Sequence, residues 1–190
     1  TQTIQSGDTW EYELISQVQR LQPRDVIKHS MEHGTFLSCS DGSAMDEAGN
    51  FGFVISTPQG LRVAKGNGPA PGAYPNSFRS EAYGVLACLR WIHCEMKTLD
   101  IEPFSCCQVL HYFDNKSVIQ RIQQTIRSRG RLPNHRLLPE QDVIEEIVDT
   151  WRHMSVHITF AWVKGHQDQQ RPKHLLPLEA QLNCEADHEA

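Results

Sequence analysis

Hydrophobic positions along this chain change period several times, and each change marks an element. Thr35–Asp41, Phe51–Ser56 and Leu61–Lys65 are β-prone runs, the last two parted by Thr57-Pro58-Gln59-Gly60. A Pro and a Gly between two such runs signal a hairpin, so the pattern predicts three successive antiparallel strands. Gly42–Asn50 is rich in turn formers, and Gly66–Pro75 is dense in Gly and Pro; both are expected as connections. The period then lengthens. Ala82, Val85, Leu86, Leu89, Ile92 and Met96 recur at three- and four-residue steps and predict a helix over Ser77–Met96, with Ser77 as its N-cap. Gln108–Phe113 predicts a fourth strand. Asn115–Ile126 predicts a helix buried along Val118, Ile119, Ile122 and Ile126. Glu140–Met154 predicts another, with Val143, Ile144, Ile147, Val148 and Trp151 inward. Val156–Val163 reads as a fifth strand with Val156, Ile158, Phe160 and Trp162 on one face, and a final helix begins near Leu178–Leu182.

The resulting order, β-β-β-α-β-α-α-β-α, predicts an α/β fold around a five-stranded mixed sheet. Its first strands form an antiparallel meander, and the later ones are added through helical crossovers. Residues 1–34 carry a weaker pattern: Trp10, Leu14, Val18 and Leu21 recur at helical spacing until Pro23 interrupts. They are expected as a linker or appended N-terminal element, with the domain proper at 35–190. There is no internal repeat and no low-complexity segment.

Composition narrows the class. A chain of 190 residues, 39% hydrophobic and 22% charged, fits one globular domain. No apolar run approaches the roughly 20 residues that span a bilayer. Nor is there a signal segment or an initiating Met, so we expect an intracellular piece of a longer chain, monomeric when isolated. The cysteines (Cys39, Cys88, Cys94, Cys106, Cys107 and Cys184) form no CxxC pair, which argues for reduced, mostly buried thiols over structural zinc. A net charge of −5 disfavours phosphate binding on average, but the charge is unevenly spread. Lys116, Arg121, Arg127, Arg129, Arg131 and Arg136 fall in the acid-free stretch Asn115–Pro139, and Glu140–Asp149 carries acids only. That is the pattern of one basic face on an acidic body.

The placement of four acids changes the picture further. Asp41 ends the first strand, Glu81 lies near the start of the first long helix, Asp114 ends the fourth strand and Asp187 lies in the last helix. In a mixed α/β sheet, strand ends and neighbouring helix turns share a crevice, so these carboxylates can meet. Unit charges about 4 Å apart repel by about 1 kcal/mol even in water. Such a group either takes up protons or binds cations, and oxygen-only donors suit Mg²⁺ or Mn²⁺. Two such ions roughly 3.5–4 Å apart are suited to in-line phosphoryl displacement.

The local wording resembles the ribonuclease H family, in the form found as a domain of retroelement reverse transcriptases. Ser40-Asp41-Gly42-Ser43 resembles the family's first-strand motif, and Arg79-Ser80-Glu81-Ala82-Tyr83-Gly84 its helix Glu motif. Phe113-Asp114-Asn115 resembles the third-acid motif. Trp162-Val163-Lys164-Gly165-His166 and Asn183-Cys184-Glu185-Ala186-Asp187 resemble the closing His and Asp motifs. The resemblance covers about Thr35 to Ala190.

It implies a ribonuclease H-like fold and an endonuclease that hydrolyses the RNA strand of RNA–DNA hybrids, leaving 5′-phosphate products. Asp41, Glu81, Asp114 and Asp187 would bind two Mg²⁺ ions, with Mn²⁺ able to replace them. His166 would aid proton transfer or product release. Ser43, Asn76, Ser77, Asn115, Arg127, Arg129, Arg131 and Asn183 are the candidate substrate contacts, and a reverse transcriptase domain in the same polyprotein is the implied partner. Two features depart from the family. Ser77-Phe78 stand where many members carry Asn-Gln, with Phe78 expected in the core, and twenty residues separate His166 from Asp187. The rival readings are a transposase-, integrase- or resolvase-like enzyme on the same fold, and a non-catalytic nucleic-acid-binding module.

Overall fold

The meander, the crossovers and the helical stripes assemble into one mixed sheet with helices on both faces. The structure is a computed structural model that describes residues 9–45, 48–72, 76–101, 107–128 and 138–190. A short helix α1 (Thr9–Ile15), a two-residue strand β1 (Gln19–Arg20) and helix α2 (Arg24–His33) precede the meander β2 (Thr35–Met45), β3 (Ala48–Ser56) and β4 (Arg62–Pro69). Then follow α3 (Ser77–Thr98), β5 (Gln108–Phe113), α4 (Lys116–Ser128), α5 (Gln141–His153), β6 (His157–Trp162) and, after two 3-10 turns, α6 (Leu178–Glu189). Strand order is β1-β4-β3-β2-β5-β6. The β2–β3, β3–β4 and β1–β4 pairs are antiparallel, and β2–β5 and β5–β6 are parallel, joined by crossovers through α3 and α4–α5.

The sheet has six strands rather than the expected five, because β1 adds to the outer edge through Gln19↔Lys65 and Arg20↔Ala64. Two expected connections are partly strand. The first hairpin stays paired out to Met45↔Ala48, and β4 continues through Gly66 and Gly68 to Pro69. Those glycines are strand positions emptied for aromatic rings. A Cβ on Gly66 would stand 2.7 Å from the Phe53 ring, and one on Gly68 would stand 2.9 Å from that of Phe51.

Of residues 1–34, expected as a linker or appended N-terminal element, the described part contributes Leu14, Ile27 and Met31 to the main core. The helix is shorter than its hydrophobic spacing suggested. It ends at Ile15, Val18 packs at the core's margin, and Leu21 is 39% exposed. Arg20 reaches from β1 to the buried Glu95 of α3, with Nε and Nη2 donating to the carboxylate at 2.9 and 2.5 Å.

The larger core lies between the sheet and α3, α4 and α5. It holds Phe36, Phe51, Phe53, Phe113 and the predicted stripes of those helices. A smaller core on the opposite face joins Cys39, Val54, Val163 and Leu176 to Ala180, Leu182, Cys184 and Ala186. Helix α6 lies close on β3 because Gly52 has no side chain; a Cβ there would collide with the Ala186 carbonyl. Arg62–Glu185 at 2.7 Å and Lys65–Glu189 at 2.6 Å tie α6 to β4, which keeps the helix intact to the chain end. Cys39, Cys88, Cys94, Cys107 and Cys184 are all free thiols, as expected, and Cys106 lies outside the described residues.

Candidate metal centre

Parallel pairing of β2 with β5 brings the first two acids together. Cys39 sits opposite Tyr112, so Asp41 and Asp114, each two residues further on, lie side by side just past the last β2–β5 pair; Asp41 does not end its strand as expected, because β2 stays paired with β3 out to Met45 while β5 stops at Phe113. Gly42 admits the third. A Cβ on Gly42 would collide with the backbone of Ser80 and Glu81, so its absence lets α3 approach and deliver Glu81 over the strand ends. One carboxylate oxygen from each of Asp41, Glu81 and Asp114 falls within a 4.8 Å group.

The electrostatics of this group are those of a cation site. Asp41 and Glu81 are 6% and 3% exposed. Burial first, with the charges of Asp114 and Asp187, pushes the Asp41 carboxyl up to about 6, against the downward pull of the neighbouring Glu81 carboxyl and of the Gly42 N–H, which donates to its Oδ1 at 2.8 Å. Burial and the neighbouring Asp41 charge hold Glu81 well above the usual carboxylate range. The buried Glu81 Oε2 has no hydrogen-bond partner. A partnerless buried carboxylate oxygen is costly, and an all-oxygen donor set suits a hard divalent cation. The residues present therefore fit Mg²⁺ or Mn²⁺.

Asp187 stands at the rim of this group. Its side chain is 48% exposed and its Oδ2 lies 3.5 Å from Nδ1 of His166. His166 takes a left-handed backbone, φ 52° and ψ 37°, leading into the 3-10 turn Gln167–Gln169. The preceding Gly165 passes directly over Asp114, where a Cβ would collide with the carboxylate. Thus Lys164-Gly165-His166 places a histidine against the fourth acid by running glycine across the third.

The other expected site residues separate by environment. Asn76, not Ser77, caps α3: its Oδ1 accepts from the Arg79 N–H at 2.9 Å, and its Nδ2 donates to Glu140 at 3.0 Å. Ser77 is exposed and, with Phe78, Arg121 and Pro139, lines a 320 Å³ hollow. Phe78 is half-buried against the core, below the Arg121 guanidinium. Asn115 caps α4, accepting from the Ser117 and Val118 N–H groups at 3.1 and 3.4 Å. Ser43 donates to the Ala190 carbonyl at 2.8 Å. Arg127 is exposed in the last turn of α4, beside Gln123 and Gln124. Arg129 and Arg131 lie outside the described residues. Asn183 is 1% exposed and packs near Cys39, so its side chain lies beneath the acids and does not reach the open face.

Three features of the site escape a reading of sequence alone. His111 is fully buried between Ser38 and Ser40, which flank Cys39 on the acid-bearing strand. Trp162 donates its indole N–H to the Asp114 carbonyl at 2.8 Å. Arg79 binds Asp142 and Glu140 on or beside α5 together with the Pro71 carbonyl, which fixes the N-terminal turn that leads to Glu81. The available signal was polar residues at core-facing strand positions (Ser38, Ser40 and His111), where each demands a partner.

This strand order, with acids within β2, just past β5 and on α3, is a ribonuclease H type 1 fold. Solved structures bear this out. The N-terminal RNase H domain of Rv2228c from Mycobacterium tuberculosis superposes with a TM-score of 0.53 at 16% identity, covering 83% of this chain and 91% of that one. LC11-RNase H1 in complex with an RNA/DNA hybrid gives 0.56 at 13% identity, covering 81% and 92%. The prototype foamy virus protease–reverse transcriptase gives 0.54 at 18% identity, covering 84% of this chain and 21% of that one. No family profile and no curated protein sequence matches the chain.

Proposed function

We propose that this chain is an endoribonuclease that hydrolyses the RNA strand of RNA–DNA hybrids with two bound Mg²⁺ ions, as a domain of a retroelement polyprotein. The observation that carries this reading is the convergence of Asp41, Glu81 and Asp114 within 4.8 Å on a ribonuclease H type 1 fold. The likeness to LC11-RNase H1, solved with an RNA/DNA hybrid, supports the substrate class. The likeness to a foamy virus protease–reverse transcriptase supports the polyprotein context. Among the described residues no helix is long and apolar enough to cross a membrane.

Asp41, Glu81 and Asp114 hold the ions from the sheet side, and Asp187 completes the set from the rim. Ions held there supply activation of a water and stabilisation of a leaving 3′ oxygen. The net reaction adds water across a P–O3′ bond and leaves a 5′-phosphate and a 3′-hydroxyl. His166 stands 3.5 Å from Asp187, exposed, where its imidazole can take up or hand on a proton. Ser77, Arg127, Arg129 and Arg131 are the candidate contacts to the hybrid's backbone, which makes binding sequence-independent and sensitive to salt.

The test is Mg²⁺-dependent cleavage of an end-labelled hybrid, with Asp114→Asn alongside and with duplex DNA and single-stranded RNA as competing substrates. The reading requires hybrid cleavage that needs Mg²⁺ or Mn²⁺ and disappears in the variant. Cleavage that persists in Asp114→Asn overturns the metal assignment. Preference for duplex DNA would favour a transposase- or resolvase-like enzyme, and hybrid binding without cleavage would favour a non-catalytic module.

A further inference from the structure

Trp162 ends β6 opposite Phe113, the residue before the metal-binding Asp114. It is 46% exposed, so burial accounts for only part of its presence. Both of its chemical faces are occupied. The indole N–H donates to the Asp114 carbonyl at 2.8 Å, and the Lys116 ammonium sits 4.1 Å from the ring centroid. Lys116 is the first residue of α4, whose first turn holds no acid. A cation there opposes the helix dipole, so helix stability does not explain it. Among the described residues the Trp162 ring is the only partner of this ammonium. The ring therefore stations an unneutralised cation two residues from Asp114, on a chain of net charge −5.

From this we infer that Trp162 is a positioning residue with two tasks: its N–H fixes the main chain that carries Asp114, and its ring holds Lys116 ready to contact a phosphate of the bound nucleic-acid strand. The inference rests on the proposed function for the identity of the strand, and it adds residues that the motif resemblance did not assign as substrate contacts. The physical gain is preorganisation. A lysine stem resting on an aromatic face loses less freedom on meeting an anion than one free in solvent. Beside three clustered acids, a fixed positive charge also offsets the repulsion that a polyanion meets on approach.

The two tasks separate in different variants. Trp162→Phe keeps the ring and removes the N–H donor. Lys116→Gln keeps most of the stem and removes the charge. Trp162→Leu removes both supports. Hybrid binding is read by fluorescence anisotropy in EDTA across a salt series, so it is independent of turnover. Metal binding is read as the Mg²⁺ concentration that gives half the thermal shift, and unfolding in EDTA checks that each variant is folded.

Lys116→Gln is expected to weaken hybrid binding several-fold and to flatten the plot of log affinity against log salt by about one unit, the loss of one phosphate contact. Its Mg²⁺ midpoint stays at the wild-type value. Trp162→Phe is expected to raise the Mg²⁺ midpoint several-fold and to leave the salt slope as it was. Trp162→Leu does both. An unchanged slope in Lys116→Gln, or a wild-type Mg²⁺ midpoint in Trp162→Phe, overturns the inference. A wild-type chain that binds hybrid but cuts nothing removes the hydrolase reading alone, because both readouts for Trp162 and Lys116 remain.

Discussion

Ser40 Oγ lies 3.0 Å from Nε2 of His111, and the other nitrogen of the same ring lies 2.7 Å from Ser38 Oγ. The imidazole thus stitches β5 to β2 just below Asp114 and Asp41. Its ring also packs against Phe113 and Phe160 at 5.5 and 6.3 Å between centroids. Both nitrogens are used and the ring is fully buried, and that burial drives the His111 pKa down to about 3.

His111→Leu would orphan two buried hydroxyls. Each costs about 1–3 kcal/mol when left without a partner, so we expect a loss of about 2–4 kcal/mol in urea unfolding. Adding Ser38→Ala and Ser40→Ala should recover part of it, since the orphaned groups are then gone. Wild-type stability should also carry an acid dependence. A folded pKa below the unfolded 6.5 means the contribution is present above pH 6.5 and is lost as pH falls from there toward about 3. A His111→Leu variant with an unchanged slope between pH 6.5 and 4 would contradict this.

Asp41 has the opposite sign. Its folded pKa, raised from 3.8 to about 6, makes the metal-free protein lose stability as pH rises through that window. A divalent ion removes the penalty by binding the ionised form. The thermal shift caused by Mg²⁺ should therefore be small near pH 4 and grow up to and beyond pH 6, as read by scanning calorimetry with Mg²⁺ against EDTA. Asp41→Asn should be about 1–2 kcal/mol more stable than wild type in EDTA at pH 7.5 and should lose the Mg²⁺ response.

Gly42→Ala should be among the most damaging single substitutions. The added carbon would meet the Ser80 and Glu81 backbone, which cannot swing away as a side chain can. We expect a loss of about 3 kcal/mol or more from displacement of α3, with Mg²⁺ binding weakened because Glu81 moves away from Asp41. Gly60→Ala, by contrast, meets side-chain atoms no closer than 3.6 Å, so its cost comes from the positive φ of 89°. Comparing Mg²⁺ titrations of the two separates damage to the site from strain in a turn.

Arg20→Ala leaves the Glu95 carboxylate buried beneath α1 and β1 without its guanidinium. Breaking a buried pair costs about 3–5 kcal/mol, and less here because Arg20 is 44% exposed; about 2 kcal/mol is expected. Arg20→Ala/Glu95→Leu should regain most of it. Removal of residues 1–34 should destabilise the domain more than Arg20→Ala does, because it also uncovers the core around Leu14, Ile27 and Met31.

Periodicity carries β5 and α3 to α5 well, because each buries a regular stripe or an alternating face; β3 is buried on both faces over Phe51–Ser56, and α6 buries the consecutive Leu182, Asn183 and Cys184. Helix starts were harder to read. Asn76 and Ser77 are both good caps by type, and only the geometry of Arg79 and Glu140 shows that Asn76 serves. Glycines were the other difficulty. Gly66 and Gly68 signal loop by local preference, yet they lie in β4 because Phe53 and Phe51 need the room. Asp41, Glu81 and Asp114 could be picked out as a candidate group from their order and wording; the place of Asp187 at the rim could not. The burial of Asn183 was not, since an Asn one turn before an Asp on a short helix can face either way.

The sequence by itself determined the order of elements from β2 to α6 and which carboxylates fall where the sheet and α3 meet, because hydrophobic period and chain order are local properties that survive folding. Tertiary structure decided the rest. It made the three acids a single group with Asp41 and Glu81 buried, kept Asp187 at the rim beside His166, wound residues 9–34 into the core, and set Trp162 against Asp114 and Lys116. Those outcomes depend on how closely distant segments approach, at Gly42, Gly52 and Gly165 above all, and close approach is a property of the packed molecule, not of any stretch of its chain.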